Sequence, residues 1–227
     1  MRPLLMLCLA ALGAIASAQE PQPLLAKDYG QWESLRGSGT LSPDGKWLAY
    51  NVRRTNGNNE TRLANIDKNE REAFANASSA RFSDATKVYA EMATNKKVFK
   101  RRTWAQSQEM KKAKKSVRNK FALRDLSTGD TVKIDGVSAF QFSKDGKHVA
   151  LKRYQKTGQK KGGSDLVVRD IATGTEMCFG NIGSYQWCKE ANLLAMVIDT
   201  EDMVGGSVTV LHADTGMLRV LDSHKAR

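Results

Sequence analysis

Serine, the usual nucleophile of hydrolases, occurs in this sequence without the pattern that activates it. An α/β-hydrolase carries its nucleophile in a Gly-x-Ser-x-Gly turn between a strand and a helix. The two stretches nearest to that pattern, Gly37–Gly39 and Gly205–Thr209, have the character of a loop or of the start of a strand. We therefore expect no catalytic residue in this chain.

The three histidines, His148, His212 and His224, are scattered along the sequence. A metal centre or an acid–base pair needs further ligands or partners beside the imidazole. His148 and His212 replace residues of a repeated pattern, and His224 lies near the C-terminus. Phosphate-binding loops and regularly spaced carboxylates are also missing from the sequence, so we expect no metal and no cofactor.

The N-terminal segment has the three parts of a secretory signal peptide. Arg2 supplies the positive charge, Leu4–Ile15 is apolar, and Ala16–Ala18 is a small-x-small cleavage motif before Gln19. An uncleaved membrane anchor is the alternative, but a spanning helix needs about 20 apolar residues. The sequence predicts cleavage between Ala18 and Gln19 and a periplasmic or secreted mature chain without stable membrane insertion.

Removal of the signal peptide would also remove Cys8 and leave Cys178 and Cys188. In an oxidising compartment two such cysteines can form a disulfide, provided that their Cα atoms lie about 4.4–6.8 Å apart. Two buried free thiols are the alternative. Sequence spacing supplies no distance, so both possibilities stay open at this point.

One unit occurs four times along the chain. Leu41–Tyr50 (LSPDGKWLAY) returns as Phe142–Leu151 (FSKDGKHVAL), and Phe82–Ala90 and Trp187–Ala195 are degenerate copies. Ser-Pro-Asp-Gly favours a tight turn, because proline presets φ, aspartate bonds the nearby backbone and glycine accepts positive φ. Apolar strand formers follow each turn. The sequence therefore predicts four similar hairpins.

A second signal follows each hairpin, because an apolar strand ends there in a polar turn. Three of these turns end in Thr-Gly, and in the first repeat Asn69 takes the place of the glycine. The glycines are Gly129, Gly174 and Gly216. A period of about 40–45 residues with four strands is typical of propeller blades. Hydrophobic residues make up 41% of the chain, which is enough for a core.

The predicted fold class is all-β, a partial β-propeller of about four four-stranded blades over residues 37–222. A lead-in segment at 19–36 precedes the blades, with one short helical turn expected in Asp28–Leu35, and a tail occupies 223–227. The four blades are expected to form an open arc, because neither terminus offers a spare strand to close a ring.

The second repeat contains a basic insertion at about residues 92–119. Between Asn95 and Lys120 there are eleven Lys or Arg residues and one acid, Glu109, so this stretch carries +10 of the net charge of +12. Phe99 and Trp104 among the cations would suit nucleic acid. Strong helix formers and few apolar positions instead favour a solvated, partly helical insertion. We expect no nucleic-acid binding, and an acidic surface or partner domain is the more plausible contact.

These motifs resemble the N-terminal propeller of secreted bacterial prolyl oligopeptidase family proteins, which include dipeptidyl and acylaminoacyl peptidases. The resemblance rests on the Ser-x-Asp-Gly-Lys units, the Arg-Asp-Leu/Ile-x-Thr-Gly strand ends, the segment Asp28–Leu35 and the lysine-rich insertion. It covers about Lys27–Leu221. TolB-like propellers share the Ser-Pro-Asp-Gly-Lys unit.

The resemblance implies a non-catalytic propeller, truncated before the hydrolase domain, that gates the access of short peptides to that C-terminal domain. In this family Ser, Asp and His of the α/β-hydrolase domain cleave the bond, so the parent protein would be a serine peptidase. The expected partners are its own hydrolase domain, if the gene continues, and peptide substrates. The alternative is a periplasmic TolB-like module that binds a protein partner.

Overall fold

The computed structural model describes residues 23–25, 28, 32–55, 57–83, 88–93, 118–156, 158, 162–199 and 205–225, with only the backbone of 88–93 and 225. The predicted signal peptide, its cleavage site at Ala18 and Gln19, and most of the basic insertion lie outside these residues, as does any helix in that insertion. Within the described ranges no helix is long and apolar enough to cross a membrane.

The described part of the chain contains fifteen strands. They are β1 (Glu33–Leu41), β2 (Trp47–Arg54), β3 (Glu60–Asn65), β4 (Glu70–Ala75), β5 (Ala77–Phe82), β6 (Val88–Ala93), β7 (Lys120–Asp125), β8 (Thr131–Asp135), β9 (Val137–Phe142), β10 (His148–Arg153), β11 (Ser164–Asp170), β12 (Glu176–Trp187), β13 (Leu193–Asp199), β14 (Gly205–His212) and β15 (Met217–Lys225).

The strands form four antiparallel blades in chain order. Blade 1 is β1-β2-β3-β4 and blade 2 is β5-β6-β7-β8. Blades 3 and 4 share one seven-stranded sheet, because the first part of β12 pairs with β11 and its second part pairs with β13. β12 is thus the outer strand of blade 3 and the inner strand of blade 4. The predicted all-β array of four four-stranded blades is confirmed.

The repeated turn owes its shape to one serine and one aspartate. The hydroxyl of Ser42 donates to Asp44 Oδ1 at 2.6 Å and accepts the N–H of Trp47 at 2.9 Å. Gly45 has a φ of 73°, a conformation that L side chains rarely adopt. The copy in Phe142–Leu151 makes the same bonds. In blades 1 and 3 these bonds hold the turn in which the inner strand reverses into the second strand.

A left-handed residue also marks each junction between blades. These residues are Asn76 (φ 64°), Gly136 (φ 73°) and Asn181 (φ 54°). Each lies seven positions after the last residue of the polar turn before it, at Asn69, Gly129 and Gly174. Asn and Gly are the residues that best tolerate this conformation. The constant spacing fixes the length of each outer strand.

Three apolar clusters hold neighbouring blades together, one at each junction. Buried members of these clusters, in junction order, are Ala49, Leu63 and Ala80; Phe121, Val137 and Val149; and Leu166, Trp187 and Leu194. Burying one such large side chain contributes about 1.5–3 kcal/mol. In the described part of the chain no cluster joins blade 4 to blade 1.

Strand alternation decides which neighbour each side chain meets. In blade 3, Val149 and Leu151 pack against blade 2, whereas Ala150 packs against blade 4, and all three are fully buried. The matching residue of blade 4, Ala195, is exposed. In blade 1, Leu48 and Tyr50 are only half-buried. Both end blades thus present faces that are built like blade interfaces and that no described residue covers.

Two boundaries differ from the sequence expectation. β1 begins at Glu33, within the stretch where a helical turn was expected and four residues before Gly37. β15 extends to Lys225, into the predicted tail. Glu33 lies in the strand because it pairs with Arg54 of β2 and forms a salt bridge to its guanidinium at 2.6 Å.

Candidate functional site at the turn end of the blades

Inner strands of three blades end in an aromatic residue at the same repeat position. These residues are Phe82, Phe142 and Trp187, each placed directly before the first residue of its turn. Together they line one cavity of about 490 Å³. We call this end of the array, where the Ser-x-Asp-Gly turns lie, the turn end. The cavity draws residues from blades 2, 3 and 4, so it exists only because the blades stack.

Trp187 is the best fixed of the three aromatic residues. It is 4% exposed, and its indole N–H donates to the backbone oxygen of Gln141 at 3.1 Å, which ties blade 4 to blade 3. The ring of Phe142 packs edge-on against Phe140 at 6.1 Å. A buried indole with its N–H bonded is held rigidly. The apolar wall of the cavity is therefore preformed.

The rim of the cavity is polar and carries both signs of charge. Lys144 and Lys189 are exposed at the mouth together with Glu190, and the amide of Gln186 lines the interior. A concave, partly apolar site with a few polar groups suits a small molecule or a short extended peptide. Nothing in this arrangement supplies a nucleophile with a base beside it.

Asp145 lies in the turn that borders this cavity. Burial raises its pKa, but the backbone N–H of Lys147, the hydroxyl of Ser143 and the amide of Asn192 all bond to the carboxylate and lower the pKa to about 2. Hydrogen bonds to the charged form favour ionisation. Asp145 is therefore a fixed negative charge that organises the turn, and it is unsuited to proton transfer at neutral pH.

His148 is the buried one of the three histidines, with its side chain 6% exposed. Its Nε2 lies 3.7 Å from Asp170 Oδ2, and its Nδ1 has no hydrogen-bond partner among the described residues. Ser143 bonds to the backbone N–H of His148 and donates its proton to Asp145, so it is not aligned as a nucleophile. His212 and His224 are exposed.

Cys178 and Cys188 are free and exposed in the structure. Cys178 lies on β12 opposite Val167, and Cys188 follows the other end of the same strand and lines the cavity. The alternative of two buried thiols therefore does not hold, whereas the disulfide remains a prediction. Among the described residues no group of three or more His, Cys, Asp or Glu could hold a metal ion.

The aromatic wall was missed by sequence reasoning, although a signal for it exists. The residue before each turn is Leu41, Phe82, Phe142 or Trp187 in the four copies. A large apolar residue at one repeat position in all four copies indicates that these side chains share one environment. Leu41 in blade 1 remains 55% exposed and does not line the cavity.

Fold and cavity together define a stack of β-propeller blades with an opening at the turn end. The fold is similar to that of Pyrococcus horikoshii acylaminoacyl peptidase, with 13% sequence identity and a TM-score of 0.50 over 88% of this chain and 34% of that one. A second similar structure is the β-propeller domain of the Trilobed protease from Pyrococcus furiosus, which has an open velcro topology. Its sequence identity to this chain is 13% and the TM-score is 0.53, over 87% of this chain and 59% of that one.

A further similar structure is an oligogalacturonate lyase in complex with manganese, at 12% identity and a TM-score of 0.50 over 83% of this chain and 53% of that one. At such identities the likeness shows the fold alone. The chain spans between about a third and three fifths of the length of these three structures. No model of a known protein family matches the sequence, and a search of curated proteins found no match.

Proposed function

We propose that this chain is the non-catalytic N-terminal propeller of a secreted prolyl-oligopeptidase-like serine peptidase. In this role it gates the access of short peptides to a hydrolase domain of the parent protein. The observation that carries the proposal is the stack of four blades, similar in fold to peptidase propellers, with a narrow opening between inner strands. The predicted signal peptide supports secretion.

The size of the opening supports a gate for peptides. A cavity of about 490 Å³ between Phe82, Phe142 and Trp187 admits a few extended residues and excludes a folded protein. Its walls are rigid because the indole of Trp187 is bonded to the neighbouring blade. Selection by size in such a gate requires no catalytic group in the propeller itself.

The exposed blade faces support a role within a larger protein. Ala195 and Val197 occupy the face of blade 4 that matches the buried face of blade 3 around Ala150. An apolar face of this kind is typical of a surface that meets another element. Further blades with the same turn, followed by the hydrolase, are the expected neighbours.

The decisive experiment is to sequence the DNA downstream of the codon for Arg227. We expect three or four more Ser-x-Asp-Gly-Lys units and then a Gly-x-Ser-x-Gly motif in the same reading frame. A reading frame without any hydrolase would overturn the proposal, and a propeller that binds a protein partner, as expected of a TolB-like module, would replace it.

The gate itself is tested in the parent enzyme by Phe142→Ala. Widening the opening should increase cleavage of long peptides relative to short ones, while the rate on a dipeptide stays unchanged. Lys133→Ala, an exposed change on the outer strand β8, is the control. An unchanged ratio for Phe142→Ala would contradict gating at this cavity.

A further inference from the structure

A second cavity lies at the other end of blade 1, which we call the loop end because the connection from β2 to β3 lies there. Its volume is about 350 Å³, and it is enclosed by β1, β2 and the first residues of β5. Arg36, Asn51, Arg53 and Asn59 line it. We call these four residues the arginine cleft.

Strand register places both arginines of the cleft on the same face. Arg36 pairs with Asn51, and Ser34, two residues before Arg36, pairs with Arg53. Residues two apart on a strand point to the same side, so the side chains of Arg36 and Arg53 leave one face of the blade at diagonal positions, about 7–8 Å apart at the backbone. Each brings a positive charge to the cleft that both residues line.

Neither of these two side chains has a partner within the part of the chain that the structure describes. The neighbouring Arg54 and Arg62 differ, because they point to the opposite face of the blade. Each of them forms salt bridges to both Glu33 and Glu60 at 2.6–2.9 Å. Blade 1 thus satisfies one pair of arginines with two carboxylates and leaves the other pair facing the cleft.

The negative charge of Glu60, at the edge of the cleft, is already balanced by two arginines. Burial raises the pKa of Glu60, but hydrogen bonds from Arg54 and Arg62 lower it on balance, so the carboxylate is charged and both its oxygens are occupied. The four-residue network with Glu33 has no net charge. The cleft therefore carries the two positive charges of Arg36 and Arg53.

The two asparagines add hydrogen-bond donors. Asn59 Oδ1 accepts the backbone N–H of Arg54 at 3.2 Å, and because an N–H can only donate, this bond fixes the orientation of the amide. Its NH₂ group donates to no residue in the described part of the chain. Asn51 Oδ1 accepts the hydroxyl of Thr61 at 2.7 Å. The acceptor atoms of both amides are thus bonded within the protein, which leaves donors for a ligand.

We propose that the arginine cleft binds the carboxylate group of a short peptide. Guanidinium groups bind carboxylates through paired, charge-assisted hydrogen bonds, and amide NH₂ groups complete the set of donors. The carboxylate can belong to an acidic side chain or to a C-terminus, and both have the same chemistry. That the peptide is a substrate rests on the proposed function, whereas the binding of a carboxylate does not.

Calorimetric titration of the mature chain with three tripeptides tests the proposal. The probes are N-acetyl-Ala-Ala-Ala with a free C-terminus, N-acetyl-Ala-Glu-Ala-amide and N-acetyl-Ala-Gln-Ala-amide. We expect at least one of the first two to bind, and the third, which lacks a carboxylate, to bind at least about tenfold more weakly, a difference of about 1.4 kcal/mol. Comparing the first two identifies the source of the carboxylate.

The variant Arg36→Gln/Arg53→Gln removes both charges and should weaken binding of the carboxylate probes by about tenfold or more. Its matched control is Lys133→Gln/Arg219→Gln, which removes two exposed positive charges on the outer strands β8 and β15, outside both cavities, and should change binding by less than about twofold. Arg36→Lys/Arg53→Lys, which keeps the charge and loses the paired geometry, should give an intermediate affinity.

Failure of every carboxylate probe to bind would overturn the proposal. Equal losses in the two Gln double variants would also overturn it, because overall charge would then explain the binding. These outcomes are separate from the sequencing result that tests the proposed function, since a hydrolase can follow a propeller whose cleft binds no carboxylate.

Discussion

Asn192 donates its side-chain amide to Asp145 at 2.8 Å and to Asp214 at 3.1 Å. The first bond joins the inner turn of blade 4 to that of blade 3, and the second joins two turns within blade 4. One amide thus connects three turns at the rim of the cavity. Asn192 occupies the repeat position that lysine holds at Lys46 and Lys147.

Removing this connection should destabilise the junction between blades 3 and 4. Asn192→Ala should lower the free energy of unfolding by about 1–2 kcal/mol, since hydrogen bonds to charged groups contribute about 1.5–3 kcal/mol. Chemical denaturation of Asn192→Ala, Asp145→Ala and the double variant gives the coupling energy. Strict additivity of the two single changes would show that the bond contributes nothing.

Asp145 should make the stability of the chain depend on acid pH. Its folded pKa of about 2 lies below the ordinary aspartate value of 3.8, so its contribution is present above the unfolded value and is lost as pH falls toward the folded value. The stability difference between the wild type and Asp145→Asn should therefore shrink between about pH 5 and pH 2. Denaturation at several pH values measures it, and a constant difference would contradict this assignment.

An introduced charge should lower the melting temperature far more at Ala150 of blade 3 than at Ala195, the matching residue of blade 4. Ala150→Asp buries an uncompensated carboxylate between blades and should lower the melting temperature by roughly 6–12 °C for a loss of about 3 kcal/mol. Ala195→Asp, at the same repeat position on the exposed face of blade 4, should leave it within about 2 °C.

The same pair of variants tests the exposed end face. Light scattering coupled to size exclusion should show self-association of the wild-type chain, and less of it for Ala195→Asp, because the apolar face becomes charged. A monodisperse, cooperatively melting wild-type monomer would contradict the inference that this face needs a neighbour.

Two free thiols are expected in the mature chain, because Cys178 and Cys188 are unbonded and exposed in the structure. Thiol titration with a chromogenic disulfide reagent, under denaturing conditions and without reductant, counts them directly. Finding no thiol, together with a mass two protons lighter, would instead establish the disulfide that the sequence leaves open.

Residues 19–227 alone should hydrolyse no peptide, ester or acyl-amino-acid substrate above background. Acyl transfer by serine needs a nucleophile, an oriented base and oxyanion donors, and His148, the buried histidine of the described region, faces Asp170 with no serine hydroxyl bonded to its ring. A fluorophosphonate probe should leave the chain unlabelled. Labelling that one Ser→Ala change abolishes would reveal an overlooked site.

Local chemistry made the blade array predictable from sequence. The turn at Ser42–Gly45 depends on residues that contact their own neighbours, so its serine, aspartate and glycine can be recognised without structural information. The regular recurrence of this turn then fixes the number of blades and their order. Stacking follows, because strands with apolar residues on both faces need a sheet on each side.

Features that depend on distant contacts were not predictable in this way. Glu33 belongs to a strand because it bonds Arg54 and Arg62, which are 21 and 29 positions away. The arginine cleft depends on the pairing of β1 with β2, which sets Arg36 opposite Asn51 and Arg53 opposite Ser34, and this register shifts by two residues between Arg36 and Thr40. Residue spacing alone contains neither the register nor the irregularity.

The connection between β6 and β7 of blade 2 begins and ends at two residues that lie side by side in the sheet. Ala93 and Lys120 are paired across the two strands, so their Cα atoms lie only about 4.5–5.5 Å apart. A segment of any length can begin and end there without moving a strand. This position is therefore a natural place to graft a fluorescent reporter or a whole domain with adjacent termini, and evolution could lengthen or exchange the segment without changing the blade.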